Sequence, residues 1–390
     1  MLDCKYITTA FNLQNFFTVN AKIEKNILYI HLNSKPSIHI CPHCGKETKR
    51  VHDYRTQNVK FVRICGYNSV LVLKKRRYLC SCCGKKFYEN YPFVAKHHSI
   101  SNSVFLQIIN DLKSVNSLKD IAKANGVSTN TVARALKIVA IAQKNELPEV
   151  LSIDEFKGNA GGEKYLVQIS DAKNKKLLNI LPSRKFTYLS EFFSQYSREE
   201  RKKVKYLVID MYQNYRRLVV YFPNAKIVVD KFHFVRQTTW ALDNVRKKIQ
   251  KEKSKEGRLR FKRLRSLLHK RYENLNAEDR LALETMLGQS EELRDAWRLK
   301  EGLYEIISSK TNAREKLTKW IELAKASGIS EFKGCINAYK NWIDGIVESI
   351  ETGYSNGFTE GKNNKIKVMK RNAFGFRSFE NFKKRILICS

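Results

Sequence analysis

Hydrophobic and polar positions follow two different periods along the chain, and the changes of period divide it. Near the N-terminus, KIEKNILYIHLN alternates well enough for a strand. VKFVRI (59–64) and SVLVLKKRRYL (69–79) are β-rich runs. Gly66-Tyr67-Asn68 between them predicts a turn and so a hairpin. Residues 99–145 change to a helical pattern. The period returns to strands over 148–235, where VLSIDEF, KYLVQIS, KLLNILP, KYLVID and AKIVVD predict five of them. Helical stretches follow the third strand (187–203) and the fourth (212–222). Long helices then fill 236–345 and carry all four tryptophans, Trp240, Trp297, Trp320 and Trp342. A glycine-punctuated loop from 353 leads into a basic C-terminal helix. No internal repeat or low-complexity segment interrupts this order.

Composition narrows the class. The chain has 390 residues, enough for two to three domains with buried cores. At 43% hydrophobic it is not a disordered tail. Lys and Arg outnumber Asp and Glu by 73 to 38, a net charge of +35, which points to a polyanion, most often nucleic acid. No apolar run approaches the ~18 residues that span a bilayer. The opening MLDCKYITTAFNL lacks the order of a signal peptide. The expectation is therefore a soluble intracellular protein with no membrane partner.

Six of the nine cysteines lie between residues 41 and 83, which suits metal ligation better than a disulfide framework. Cys41-Pro-His-Cys44-Gly and Cys80-Ser-Cys82-Cys83-Gly are two knuckles flanking the hairpin. Cys41, Cys44, Cys80 and Cys83 are the expected ligands of one structural Zn²⁺, a site closed to catalysis. Cys82 could replace Cys83 at the cost of the spacing, and His43 and His52 are nearby substitutes. Lys74, Lys75, Arg76, Arg77, Lys85 and Lys86 around the site suit phosphate contact, or are a solvated face.

Residues 117–136 carry the grammar of a helix-turn-helix. Ser117 caps a helix with Leu118, Ile121 and Ala122 inward, Gly126 makes the turn, Val127 plugs the core, and Ser128 caps the second helix. That helix would present Thr129, Asn130, Thr131 and Arg134 to the bases of double-stranded DNA. An ordinary helical hairpin is the alternative.

Two acids lie on predicted strands: Asp154 among apolar neighbours in LSIDEF, and Asp210 at the end of YLVID. The order of three strands, helix, strand, helix, strand is that of a ribonuclease-H-like mixed αβ core, in which the first and fourth strands are neighbours. Two carboxylates set side by side there call for a divalent cation. A third acid is expected on a late helix. Glu360 fits, with Asn363, Asn364 and Lys367 on the same helical face. Lys367 and, further along, Arg371 are candidate DNA-phosphate contacts. Two Mg²⁺ (or Mn²⁺) ions on Asp154, Asp210 and Glu360 would suit phosphoryl transfer. Thirteen Lys and Arg between Arg246 and Arg271 read as a DNA-phosphate stripe, or as a long solvated hairpin.

CPHCG with CSCCG, SIDEF, VIDMYQNY, VVDKFHFV and above all SNGFTEGKNNKIKVMKRNAFGFRSFENFKKRIL occur in order over nearly the whole chain. In these motifs the sequence resembles insertion-sequence transposases of the ISL-three family. The resemblance implies that Asp154, Asp210 and Glu360 are a catalytic DDE triad. It implies that 236–345 is an insertion domain, and that Asp230 and His233 of DKFH lie near the site.

The expected domains are 1–38 (N-terminal segment), 39–98 (zinc ribbon), 99–147 (helix-turn-helix), 148–235 (first part of the catalytic core), 236–345 (basic helical insertion) and 346–390 (C-terminal core helix). The expected activity is binding of terminal inverted repeats, metal-dependent cleavage of the ends, and joining of the 3′-hydroxyls to target DNA by a homodimer or higher oligomer. A DNA-binding regulator, such as a catalytically dead copy, and a nuclease of the same fold are the alternatives.

Overall fold

The computed structural model describes residues 16–140 and 145–390, and the side chains of 17–19 are not described. Cys4, most of the expected 1–38 segment's first half and residues 141–144 of the expected helical domain lie outside the described residues. The chain divides into two compact units: residues up to 141 with 368–374 and Cys389, and residues 142–367 with 375–388 and Ser390.

In the first unit, β1 (Phe16–Glu24) and β2 (Ile27–Ser34) form an antiparallel hairpin. Short strands β3 (His39–Ile40) and β4 (Glu47–Thr48) pair with each other. The long strands β5 (Val51–Ile64) and β6 (Tyr67–Leu79) make an extended antiparallel ribbon, and β7 (Lys86–Tyr88) pairs with β6. β2 lies parallel to β6, so residues 16–34 belong to the same sheet as the ribbon. The reason is on β2's inward face. Leu28, Ile30 and Leu32 are buried against Val59, Phe61, Leu71 and Leu73. The ribbon's turn is at Cys65-Gly66, one residue earlier than expected. Ile64 pairs with Tyr67, and both turn residues have positive φ (50° and 84°), as a two-residue hairpin turn matching strand twist requires. β5 also begins eight residues before the expected run. Its first half is mostly solvent-exposed, so no hydrophobic alternation marks it.

Among the described residues, the helices α1 (Asn102–Asp111), α2 (Leu118–Ala124) and α3 (Thr129–Ile138) follow in this unit. Ser117 and Asp120 form a reciprocal capping box on α2, and Ser128 accepts from Thr131 N to cap α3. Ile121, Val132, Ala135 and Leu136 are buried between them. Val127 is only half-buried; its N–H closes the turn on Ala122 O at 3.0 Å. Gly126 has φ +63°, and a Cβ there would lie 2.9 Å from Asn68 Oδ1. Its carbonyl accepts from Lys60 Nζ at 2.8 Å. Gly126→Ala is therefore expected to destabilise this unit by about 1–2 kcal/mol from the left-handed backbone alone. Thermal melting of the full chain would read this as a fall in the first unit's transition.

The second unit is a mixed α/β core with a helical elaboration. Strands β8 (Val150–Lys157), β9 (Tyr165–Asp171) and β10 (Lys176–Leu181) are antiparallel neighbours. After α4 (Phe186–Ser194) and α5 (Arg198–Lys202), β11 (Tyr206–Ile209) pairs parallel to β8. After α6 (Gln213–Arg216) and a 3₁₀ turn, β12 (Lys226–Val229) pairs parallel to β11. The sheet order is thus β10-β9-β8-β11-β12. Ile153, Val167, Ile169, Leu207 and Ile209 are fully buried, which explains their near-continuous apolar runs.

The elaboration begins with the 21-residue helix α7 (Lys231–Lys251). It continues through α8 (Lys255–Arg263), α9 (Arg265–His269), α10 (Ala277–Leu287), α11 (Glu291–Ser309), α12 (Ala313–Ala326), α13 (Lys333–Asn341) and α14 (Ile343–Thr352). α14 packs on β12, where a Cβ at Gly345 would come 2.8 Å from Val229 Cγ2. α15 (Gly357–Asn372) and α16 (Phe379–Ile388) end the chain, with Phe382 of α16 buried near Phe156 of β8.

The basic run 246–271 is not uniformly available to solvent. Arg246 is buried and donates to Asp243 Oδ1 at 2.8 Å, and Lys247 (3.0 Å) and Arg265 (3.1 Å) reach the same carboxylate. Lys248 pairs with Glu292 at 2.7 Å. Arg246 and Lys247 bind within α7, Arg265 and Lys248 tie it to α9 and α11, and the expected phosphate stripe is reduced to the remaining cations.

Candidate functional site

Sheet register brings the acids together. Tyr206 pairs with Val150 and Val208 with Ser152 on the parallel strands β11 and β8. Carried two residues on, this sets Asp210 level with Asp154. Ile209 pairs with Val229, and Asp230 N donates to Ile209 O at 2.8 Å, so Asp230 follows in the same row. Three aspartates therefore stand level on three adjacent parallel strands, about 4.8 Å apart strand to strand, Asp210 and Asp230 just past the ends of β11 and β12 and Asp154 within β8, which continues to Lys157. Asp230 is also the residue at which β12 passes into α7.

All three line a cavity of about 760 Å³, and Glu360 of α15 lines it too, as an exposed side chain. Asp154, Glu155, Asp210, Asp230 and Glu360 face Lys231, Arg236 and Lys367 there, an acidic hollow in a strongly basic chain. The helix that brings Glu360 also holds Asp154. Thr359 Oγ1 lies 2.8 Å and Asn363 Nδ2 3.1 Å from Asp154 Oδ2, while Glu155 N donates to Oδ1 at 2.8 Å. Asn356, just before α15, accepts from Ser152 Oγ at 2.6 Å, and its N–H donates to Asp230 Oδ1 at 2.8 Å. α15 is thereby fastened to β8 and to the row of aspartates at once.

The electrostatics follow from burial. Burial first, then the Glu155 and Asp154 charges, pushes Asp210 up to about 7, against a hydrogen bond from Tyr212 N. Asp230 is raised mainly by burial, against the backbone N–H of Asn356. His233 is lowered by burial and then by Arg236, so it is mostly neutral at pH 7. Its Nε2 stands 3.9 Å from Asp230 Oδ2. Glu155 is not left to this crowd. Arg184 Nη1 reaches both its oxygens (3.1 and 2.9 Å), with the guanidinium held over the rings of Tyr165 and Tyr212.

A raised carboxylate pKa opposes folding once the group must ionise. Between the ordinary value near 3.8 and about 7, folded Asp210 keeps a proton that the unfolded chain has lost. In metal-free buffer the melting temperature of the second unit is expected to rise as pH falls from 8 to 6. The Asp210→Asn variant should show less of this rise; identical pH profiles for the two proteins would contradict the assignment.

In the first unit, Cys41, Cys44, Cys80 and Cys83 place their sulfurs within 4.8 Å of one another. Cys41 and Cys83 are 3.7 Å apart, Cys44 and Cys80 3.5 Å. The two knuckles repeat one geometry. Gly45 N donates to Cys41 O (2.9 Å) and Gly84 N to Cys80 O (3.1 Å), both glycines having positive φ. Backbone N–H groups, that of Cys83 above all, draw the Cys80 thiol down to about 6, while Cys44, against the N–H of Lys46, is pushed up to about 12 by the neighbouring thiols, Cys80 first. Four soft thiolates at tetrahedral reach fit a structural Zn²⁺. Cys82, His43 and His52 are outside this group. Among the described residues no other set of three His, Cys, Asp or Glu side chains comes so close, so the acids share a cavity without being gathered to one point.

The remaining candidates are scattered. Thr129, Asn130 and Arg134 are exposed on α3, and Thr131 is half-buried with its Oγ1 3.0 Å from Ser128 Oγ. Lys367 lines the acidic cavity; Arg371 is exposed one turn further on α15, among residues grouped with the first unit. Of the ribbon cations, Arg77 is paired with Asp53 and Arg76 donates to Ser34 O at 2.9 Å, so neither is a free phosphate contact. Sequence reasoning missed Thr359, Asn356, Glu155 and Arg184. The Thr359–Asn363 spacing of four was a legible sign that one helix face turns to a single partner.

Comparison with known proteins converges on one family. Residues 151–386 match the model of the ISL3 DDE family, described as transposase. Residues 38–83 match the zinc-finger of transposases IS204/IS1001/IS1096/IS1165. The transposase for insertion sequence element IS1001 of Bordetella parapertussis is 26% identical over 365 residues, 91% of this chain and 89% of that protein. The transposase for IS1557 of Mycobacterium tuberculosis (strain CDC 1551 / Oshkosh) is 27% identical over 240 residues, 55% of this chain and 54% of that protein. A 57-residue stretch is 46% identical to a Lactococcus lactis protein named ATP-dependent protease, and covers only 15% of this chain. No helix among the described residues is long and apolar enough to cross a membrane. Matched across more than half its length, the chain belongs to the ISL3 family of transposases.

Proposed function

We propose that the chain binds the terminal inverted repeats of an insertion sequence, cleaves the element's ends, and joins the freed 3′-hydroxyls to target DNA. The observation that carries this reading is the single cavity lined by Asp154, Asp210 and Glu360 from β8, the end of β11 and α15. The strand order, with two parallel strands added beside an antiparallel trio, supports a ribonuclease-H-like core. The donor set is all oxygen, and Asp210's resistance to ionising is what a nearby hard cation would relieve. When bound by Asp154, Asp210 and Glu360, two Mg²⁺ or Mn²⁺ ions would supply Lewis acidity for hydroxyl attack and for the leaving oxygen.

The chain's own groups do the rest. Thr359 and Asn363 fix the rotamer of Asp154. Asp230 holds the row through Asn356 N, and His233 stands beside Asp230 as a neighbour rather than a reacting group. Lys367 on the cavity wall neutralises a DNA phosphate. Ribbon and α2–α3 supply recognition, with Thr129, Asn130, Thr131 and Arg134 toward bases and Arg371 toward backbone. Holding two ends at once requires a dimer or higher assembly on DNA.

Thr359→Val should slow cleavage roughly tenfold, because a carboxylate that loses its orienting donor binds metal less well. The loss should shrink when Mn²⁺ is raised; a slowing that ignores metal concentration would contradict a positioning role. The whole proposal is tested by incubating the protein, Mg²⁺ or Mn²⁺, a target plasmid and DNA bearing the gene's own flanking repeats. Repeat-dependent joined products are expected. Binding without cleavage would favour a regulator, and cleavage that ignores the repeats a nuclease.

A further inference from the structure

Helix α7 starts at the row of aspartates and runs away from it, carrying a feature that the reading above does not use. Phe232, Arg236 and Trp240 recur every four residues and so share one face. Phe232 is 59% and Trp240 51% exposed. The Arg236 guanidinium lies between them, 5.3 Å from the Phe232 ring centroid and 4.6 Å from that of Trp240. Phe232 and Arg236 also line the acidic cavity. The ladder therefore begins at the cavity and extends eight residues, about 12 Å, along the helix.

The other tryptophans show what a structural role looks like in this unit. Trp320 is buried, donates Nε1 to Leu299 O at 2.7 Å and stacks on Tyr339. Trp342 is buried with Arg216 over its ring. Trp297 is half-buried at 5.6 Å from Tyr272. Trp240 does none of this: it is half exposed, with the Arg236 cation that also lies over Phe232 set over its ring. Single exposed aromatics need no explanation, but two of them bridged by a guanidinium at the mouth of a charged cavity form a patch.

We infer that the Phe232–Arg236–Trp240 face of α7 is a stacking site for unpaired DNA bases beside the acidic cavity. Ring faces and a guanidinium plane accept any base by stacking. About 12 Å accommodates roughly three bases at ~3.4 Å spacing. Exposed Lys231 beside Phe232, within a chain of net charge +35, favours a phosphate-linked occupant over an apolar one. The inference rests on the transposase reading for the identity of the strand as DNA; the stacking geometry stands apart from it.

The test uses the full-length protein in metal-free buffer, with fluorescence anisotropy of a labelled oligo-thymidine strand and of a labelled duplex. Trp240→Ala is expected to weaken single-strand binding about tenfold, equal to about 1.4 kcal/mol, and to leave duplex binding within twofold. Trp240→Phe should recover most of the loss, and Phe232→Ala should reproduce it. Because Trp240 is exposed, unchanged melting temperatures should accompany these shifts. Equal single-strand affinity in wild type and Trp240→Ala, or equal losses for strand and duplex, would overturn the inference. So would self-association without DNA that disappears in Trp240→Ala, which would give the face to a second copy of the chain. Asp154→Asn separates the two readings, since it should keep single-strand binding while losing cleavage. Trp240-dependent strand binding by a wild-type protein that cleaves no DNA would leave the stacking site standing and remove the transposase chemistry.

Discussion

Replacing Asp210 by asparagine is expected to lower end cleavage by about 10³-fold, the loss of several kcal/mol of charge stabilisation at the reacting phosphate. Binding to the terminal repeats should survive within a few-fold. The substitution keeps the shape that accepts Tyr212 N and removes one buried negative charge, so the fold should be stabilised above pH 7 rather than weakened. That combination, higher melting temperature with lost chemistry, distinguishes a functional acid from a structural one. A structural aspartate in a strand-end turn would lose stability on the same change. Cleavage kinetics and a melting curve on one preparation read both. Retained cleavage in Asp210→Asn would remove this residue from the site.

The second large effect concerns the cysteines. Structural zinc sites contribute ~10–16 kcal/mol of apparent binding energy in small peptides, comparable to a whole domain's stability. Chelation, or Cys80→Ser, is expected to release one zinc per chain and unfold the knuckle end of the ribbon. The damage should be local. The sulfurs sit where Thr48 Oγ1 donates to Leu79 O and Leu79 N to Arg50 O, at one end of β5 and β6. Val59, Phe61, Leu71 and Leu73 lie toward the other end, packed on β2. Hydrogen exchange should accelerate over 39–51 and 79–88 and stay slow at 59–61 and 71–73. Uniform unfolding of the first unit would show that its apolar core cannot stand without metal. No change at all would show that the thiols do not carry zinc.

What was legible in the sequence was whatever a local period or a spacing encodes. The two CxxC knuckles, the serine caps at 117 and 128 and the five core strands are of this kind. Each is specified within a few residues: a ligand spacing, a cap before a helix, an apolar run bounded by turns. The attachment of β2 to β6 was not legible, since parallel pairing between distant strands leaves no local mark beyond the alternation of each. The polar first half of β5 was missed for a related reason: its strand state is imposed by hydrogen bonding to β6, not by a buried face.

The same boundary runs through the candidate site. Asp154, Asp210 and Glu360 stand out as acids set in an apolar strand, ending a strand and opening a helix. Their supports do not, because Thr359 and Asn356 acquire meaning only when α15 and β8 meet across some 200 residues of chain, and Arg184 only when it reaches Glu155 on β8. Charge counting had the opposite weakness. It read 246–271 as one stripe, yet Arg246 and Arg265 are spent on Asp243, a single acid upstream of the run. Composition records how many cations a segment has and not which of them a buried carboxylate has claimed.

In the proposed function, three acids from separate elements form one divalent-cation site. The most direct measurement is the stoichiometry of Mn²⁺ bound by the full-length protein on end DNA, by electron paramagnetic resonance, for wild type and for Asp154→Asn and Glu360→Gln. Two tightly held ions per active site are expected in wild type and fewer in each variant. Mn²⁺ binding that is absent from wild type, or equal in all three proteins, would contradict it.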